Sequence, residues 1–170
     1  GVDSKTARRY LDILEDTFMI RQLQPFFGNV KKRLVKSPKL YIRDTGLLHT
    51  MLKIYSYDDL SANPILGASW EGFCLEQIIA LKPRGYDAYF YRTQSTAAAE
   101  IDLVLTKGLK VEIAIEIKYS LTPKLTRSST NAINEVAPLK TWIVYPGEES
   151  YPIKKNVWTL PISQLSRIFE

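Results

Sequence analysis

The 170-residue chain carries a net charge of +5 and is 45% hydrophobic and 24% charged, the balance of an ordinary globular protein. No apolar run nears the ~18 residues that span a bilayer and no signal-peptide pattern opens the chain, so the expectation is a cytoplasmic protein with no membrane partner. The single cysteine, Cys74, rules out an internal disulfide and a cysteine-cluster metal site.

The chain opens almost at once on a helix signal. Asp3 or Ser4 caps a run in which Ala7, Tyr10, Leu11 and Leu14 recur at helical spacing. An opening of this kind is expected of a piece of a longer chain. "FMIRQLQPFF" then alternates like a strand, "GNVKKRLVKSP" reads as a basic loop, and "KLYIRD" as a returning strand. A helix followed by a two-stranded ribbon with a basic tip is the back half of a winged helix-turn-helix. In that module Arg8, Arg9, Lys31, Lys32 and Arg33 are candidate phosphate contacts. The same module also serves protein partners, and a charge run is often only a solvated loop.

"DTGLLHTML" predicts a short helix in which the lone histidine, His49, is structural. "YSYDDLSANPILG" shows turn residues and little periodicity. The boundary falls there: residues 1–60 form a partial winged-helix module and residues 61–170 a second domain. The second part predicts a helix over 68–82, strands over 87–93, 100–106 and 110–118, a helix over 125–136, strands over 141–146 and 156–160, and a terminal helix from Pro161. The order αβββαβ describes an α/β mixed sheet flanked by helices.

The acids on these elements carry the chemistry. On the helix over 68–82, Trp70, Cys74, Leu75, Ile78, Ile79 and Leu81 mark an apolar face, with Glu71 near its centre and Glu76 opposite. A carboxylate there costs several kcal/mol in order of magnitude unless a cation or metal compensates it. In "EIDLVLT", Glu100, Asp102 and Val104 share a face; in "VEIAIEIKYS", Glu112, Ala114, Glu116 and Lys118 do. A hairpin of these two strands sets Asp102 beside Glu116. An acid pair suits a hard divalent cation such as magnesium, and Lys118 stands where an ammonium can steady an attacking water or the charge on a phosphorane. The bland alternative is a solvated, charged strand face.

Asp102, thirteen intervening residues and then Glu116-Ile117-Lys118 resembles the PD-(D/E)xK phosphodiesterase superfamily, with Ile101 in place of the proline. The resemblance implies a restriction-endonuclease-like αβββαβ core preceded by the partial winged helix-turn-helix. It also implies Mg2+ (or Mn2+) on Asp102, Glu116 and the Ile117 carbonyl, with Lys118 catalytic and Glu71 added from the helix. "SKTARRYLDILEDTFMIRQLQPF", "KRLVKSPKLYIRDTGLLH", "LGASWEGFCLEQI" and "IEIKYS" narrow it. Together they resemble the uncharacterised C-terminal region of prokaryotic AAA+-type ATPases, in which an ATPase module precedes a winged helix and a nuclease-like domain. No phosphate-cradling GxxxxGK[ST] loop is present, so that ATPase module is an expected partner on the same chain.

The leading functional reading is thus a metal-dependent phosphodiesterase acting on nucleic acid, foremost DNA. The alternative is an inactive nuclease-fold module that binds DNA or a protein partner for the ATPase. A weaker third reading makes Glu71 and Lys118 a buried ion pair. Arg92, Tyr119, Lys124 and Arg127 are placed near the substrate approach, and Tyr91 and Tyr119 are candidates for stacking on bases.

Overall fold

The computed structural model describes residues 1, 3–28, 35–94 and 98–170. Helix α1 (Ser4–Asp16) is capped by the Asp3 carboxylate, which accepts the Lys5 and Thr6 amides at 2.9 and 3.0 Å. Strands β1 (Ile20–Leu23) and β2 (Lys39–Ile42) pair antiparallel as a ribbon, Ile20 opposite Ile42 and Leu23 opposite Lys39. The basic loop residues Lys31, Lys32 and Arg33 lie outside the described residues.

Helix α2 (Thr45–Met51) follows as expected. The segment read as irregular holds a further short helix, α3 (Tyr57–Ser61), nucleated by the Ser56 hydroxyl on the Asp59 amide. Five residues are too few for a periodic signal, so only the cap residue marks it.

Helix α4 (Leu66–Leu81) opens the larger unit. Strands β3 (Asp87–Arg92), β4 (Glu100–Lys107) and β5 (Lys110–Ile117) form an antiparallel meander. Its second turn uses Gly108 at φ 59°, a left-handed conformation that glycine adopts without penalty. Helix α5 (Arg127–Val136) carries the chain over to β6 (Lys140–Tyr145), parallel to β5. Strand β7 (Pro152–Lys154) was not expected; it forms the outer edge beside β8 (Val157–Pro161), and an edge is where a strand proline is tolerated. The six-stranded mixed sheet runs β3-β4-β5-β6-β8-β7. The expected terminal helix is Ile162–Phe169, a kinked 3₁₀ helix that follows Pro161.

One core lies between the sheet and α4, built on Cys74, Leu75 and Ile78 against Leu103, Ile115, Trp142 and Val144. A smaller one lies under α5, where Ala132 and Val136 meet Val104 and Ala114. Strands β4 and β5 are therefore covered on both faces. That excludes the solvated-face account of the second face of β5: Ala114 is fully buried and Glu116 is 4% exposed. Among the described residues no helix is long and apolar enough to cross a membrane.

Helix α4 differs from its wheel. Glu76, expected opposite the apolar face and so in water, is more enclosed than Glu71. Its carboxylate holds Arg21 of β1 and, at 2.9 Å, Arg43 just beyond β2. Both faces of α4 are covered, one by the sheet and the other by the ribbon, which no helical wheel of α4 alone can show. The ribbon also reaches the sheet directly: the Phe26 amide donates to the Phe90 carbonyl at 2.7 Å.

Candidate functional site

The expected residues come together where α4, β4 and β5 meet. The register pairs Leu103 with Ile115 and Val104 with Ala114, and its continuation sets Asp102 opposite Glu116. At that point the ladder opens. The Ile117 amide donates to Asp102 Oδ2 at 2.9 Å, so a side-chain carboxylate takes an amide at the end of the strand. Glu116 Oε1 accepts two donors, Lys118 Nζ at 2.6 Å and Ser129 Oγ at 2.7 Å. Ser129 is held by the cap of α5, its amide donating to Thr126 Oγ1 at 3.0 Å. The first turn of α5 thereby fixes the Glu116 rotamer.

Glu71 enters from α4 and meets residues of the first ribbon. Its Oε1 accepts Tyr41 Oη at 2.5 Å and Lys39 Nζ at 3.2 Å. Lys39 also reaches Glu100 Oε1 at 3.0 Å and Asp102 Oδ1 at 3.5 Å. Its ammonium is the centre of three carboxylates. Arg92 closes the outer edge, 3.5 Å from Glu100 Oε2. A cleft of about 500 Å3 opens over this cluster, lined among others by Lys39, Tyr41, Ser69, Glu71, Arg92 and Glu100.

Glu71 and Lys118 do not pair with each other, as the third reading required; Glu71 takes Lys39 and Lys118 takes Glu116. They still share one electrostatic cluster. Burial pushes the Asp102 carboxyl up to about 7, and Glu71 and Glu116 push the same way; Lys39 and the Ile117 amide offset only part of it. Burial pulls the Lys118 ammonium down, but Glu116, Asp102 and Glu71 together outweigh it and leave it raised. Lys39 is raised for the same reason by Asp102, Glu71 and Glu100, against the pull of its burial.

Four carboxylates thus meet two lysine ammoniums and, at the outer edge, the Arg92 guanidinium, which leaves an excess of one negative charge when all four acids are ionised. Asp102, Glu116 and the Ile117 carbonyl are hard oxygen donors, and that donor chemistry fits magnesium or manganese. As the side chains stand, no three acidic, histidine or cysteine groups among the described residues converge as a metal cage. The reason is visible: Lys39 lies between Glu71 and Asp102, and the Ile117 amide occupies Asp102 Oδ2.

Lys39, Tyr41, Glu100 and Ser129 were not singled out as site residues. Lys39 and Tyr41 alternate along β2 and so share a face, and Glu100 shares one with Asp102; nothing local says what those faces meet. Of the other expected positions, Arg8 and Arg9 are exposed on α1 and apart from the cluster. Tyr91 is not a base platform: it is fully buried and donates to Glu135 Oε2 at 2.7 Å. Lys124 and Arg127 are exposed. His49 meets Ser69 Oγ at 2.7 Å.

The chain belongs to the family described as a domain of unknown function, DUF4143, whose profile matches residues 66–165. A second domain of unknown function, DUF8612, matches residues 1–58. An uncharacterized protein of Mycobacterium tuberculosis and one of Mycobacterium bovis are each 45% identical over 164 residues, covering 96% of this chain and 36% of theirs. The chain therefore spans about a third of the length of the curated relatives it matches. Among solved structures, a chain from an assembly of Thermococcus gammatolerans McrB AAA+ hexamers with bound McrC is similar at 8% identity and a TM-score of 0.39. That likeness covers 91% of this chain and 60% of that one.

Proposed function

We propose that this DUF4143 chain is a magnesium-dependent phosphodiesterase domain of the PD-(D/E)xK type, acting on nucleic acid, within a larger ATPase. The observation that carries the reading is the gathering of Glu71, Asp102, Glu116 and Lys118, from one helix and two strands, into one cluster with excess negative charge. Apolar packing alone has no use for such an excess; a divalent cation and a phosphate substrate together would balance it. Asp102, Glu116 and the Ile117 carbonyl would hold the metal, with Glu71 completing the set. When bound, the metal would activate water and neutralise charge on the phosphoryl oxygens.

The chain's own residues have distinct parts in this. Ser129 holds the Glu116 carboxylate in place, and Glu116 holds the Lys118 ammonium at 2.6 Å. Lys118 is then positioned to stabilise negative charge developing on a phosphoryl group. Lys39, displaced from the acids by a bound cation, is positioned at the cleft to meet a substrate phosphate. The ATPase partner is an expectation from sequence resemblance and from the length of the relatives.

A second reading rests on one observation: Lys39 already occupies Glu71, Glu100 and Asp102. An ammonium in the cation position makes a sheet-to-ribbon clasp, and the domain would then bind DNA or a protein without cleaving. Titration calorimetry with magnesium separates the two. Wild type is expected to bind and Glu116→Gln not to bind while keeping its circular dichroism; Lys118→Ala is expected to bind metal and lose cleavage of DNA. No heat from wild type at millimolar magnesium, with or without DNA, would sink the phosphodiesterase reading and leave the clasp.

A further inference from the structure

A second pocket, of about 340 Å3, lies beside the acid cluster, and Thr45 and Ser69 line it as well as the cleft. Its walls are aromatic. Trp70 and Tyr119 meet edge to face with centroids 5.5 Å apart, Phe73 lies 6.3 Å from Trp70, and the Tyr57 and Tyr119 hydroxyls are 2.8 Å apart. Three of these rings are exposed, Tyr57 at 66%, Phe73 at 40% and Tyr119 at 39%, while Trp70 is half-buried and packs against the main core. Two of them are tied to the cluster by the chain itself, since Trp70 precedes Glu71 and Tyr119 follows Lys118.

We infer that this pocket receives one unstacked base of a single strand whose phosphate lies beside Lys118, the chain neighbour of Tyr119 in the pocket wall. The inference rests on the phosphodiesterase reading for the strand but not for the pocket's own chemistry. Flat π-faces bind flat π-faces irrespective of base identity, and aromatic platforms of this kind accept single strands rather than duplexes, whose bases are already stacked. The volume is enough for one base with its sugar. Backbone connectivity at Lys118-Tyr119 and Trp70-Glu71 sets the rings one residue from groups that would meet the phosphate. A nucleotide whose base is in the pocket is held with its phosphate beside Lys118, so the rings act as specificity determinants for strandedness.

The test uses the chain with single-stranded oligonucleotides carrying 2-aminopurine, with EDTA and separately with magnesium. Stacking quenches the 2-aminopurine emission. Wild type is expected to quench it, and Tyr119→Ala and Phe73→Ala to weaken single-strand binding by roughly five- to 150-fold, the worth of one stacked base. Duplex affinity is expected to stay within about twofold. Tyr119→Phe keeps the ring, drops the hydroxyl contact to Tyr57, and is expected to bind like wild type. The inference is overturned if Tyr119→Ala quenches and binds like wild type, if Tyr119→Phe fails as badly as Tyr119→Ala, or if wild type binds no oligonucleotide in either buffer. Quenching in a protein that gives no calorimetric heat with magnesium would remove the phosphodiesterase reading and leave the base pocket standing.

Discussion

Replacing Asp102 by Asn probes how poorly the acid cluster is compensated without metal. The Asp102 carboxyl is held at about 7 against 3.8 for an ordinary aspartate, by burial first and by Glu71 and Glu116 next. A carboxyl raised in the fold keeps its proton better folded than unfolded. Between pH 3.8 and about 7 the folded chain therefore binds more protons, and stability falls as pH rises. Below the unfolded value the contribution vanishes, and above the folded value the penalty is complete. At about 1.36 kcal/mol per pKa unit, ionised Asp102 costs the metal-free fold on the order of 4 kcal/mol. Asn cannot ionise and keeps an oxygen for the Ile117 amide. Going from about pH 4 to about pH 8, Asp102→Asn should gain roughly 2 to 4 kcal/mol on wild type. For a chain of this size that moves the Tm difference by about 4 to 16 °C. Thermal denaturation in EDTA across that pH range reads it directly. Parallel pH profiles for the two proteins would refute the reasoning, because they would mean that Asp102 titrates alike in folded and unfolded chains. Adding magnesium supplies a cross-check: a ligand of the native state should raise the Tm of wild type and not that of the variant.

Lys39→Met removes the ammonium shared by Glu71, Glu100 and Asp102. Metal-free stability should fall by roughly 1 to 3 kcal/mol near pH 8 and by less near pH 5, where Asp102, raised to about 7, carries a proton. Calorimetric magnesium affinity should rise several-fold, and an unchanged affinity would show that Lys39 does not compete with metal. Glu76 is different in kind: burial raises its carboxyl, but Arg21 and Arg43 outweigh this and hold it below the usual 4.5. Its stabilisation is present above that pH and lost as pH falls through the lowered value, so Glu76→Ala should cost roughly 1 to 3 kcal/mol near pH 7 in a urea titration. Magnesium binding should be untouched, and a lost metal site would mean that the ribbon clasp reaches further than its contacts. For α1, joint Arg8→Ala and Arg9→Ala substitution should weaken duplex DNA binding regardless of sequence and lower the salt slope by about two; an unchanged slope assigns that face to other partners.

Local pattern was enough for every long element of the sheet unit and for the acids it carries. Alternation in "EIDLVLT" and "VEIAIEIKYS" made two strands, their short turn made a hairpin, and the hairpin put Asp102 beside Glu116. Glu71 stood out because a lone carboxylate amid Trp70, Cys74, Leu75 and Ile78 calls for a partner, whatever that partner is. The partner's identity was beyond reach. Lys39 lies 32 positions before Glu71 and 63 before Asp102, and only the packing of the ribbon on α4 closes those distances. The same packing encloses Glu76 between Arg21 and Arg43, against a wheel that sees one face at a time. Burial of Glu116 beneath α5 is likewise tertiary, since alternation says that two faces differ and not that both are covered. Short elements escaped for a related reason: α3 and β7 are too brief for periodicity and are held by caps and neighbours. Charge and spacing placed the acids, but which cations they meet is settled by contacts between segments far apart in the chain.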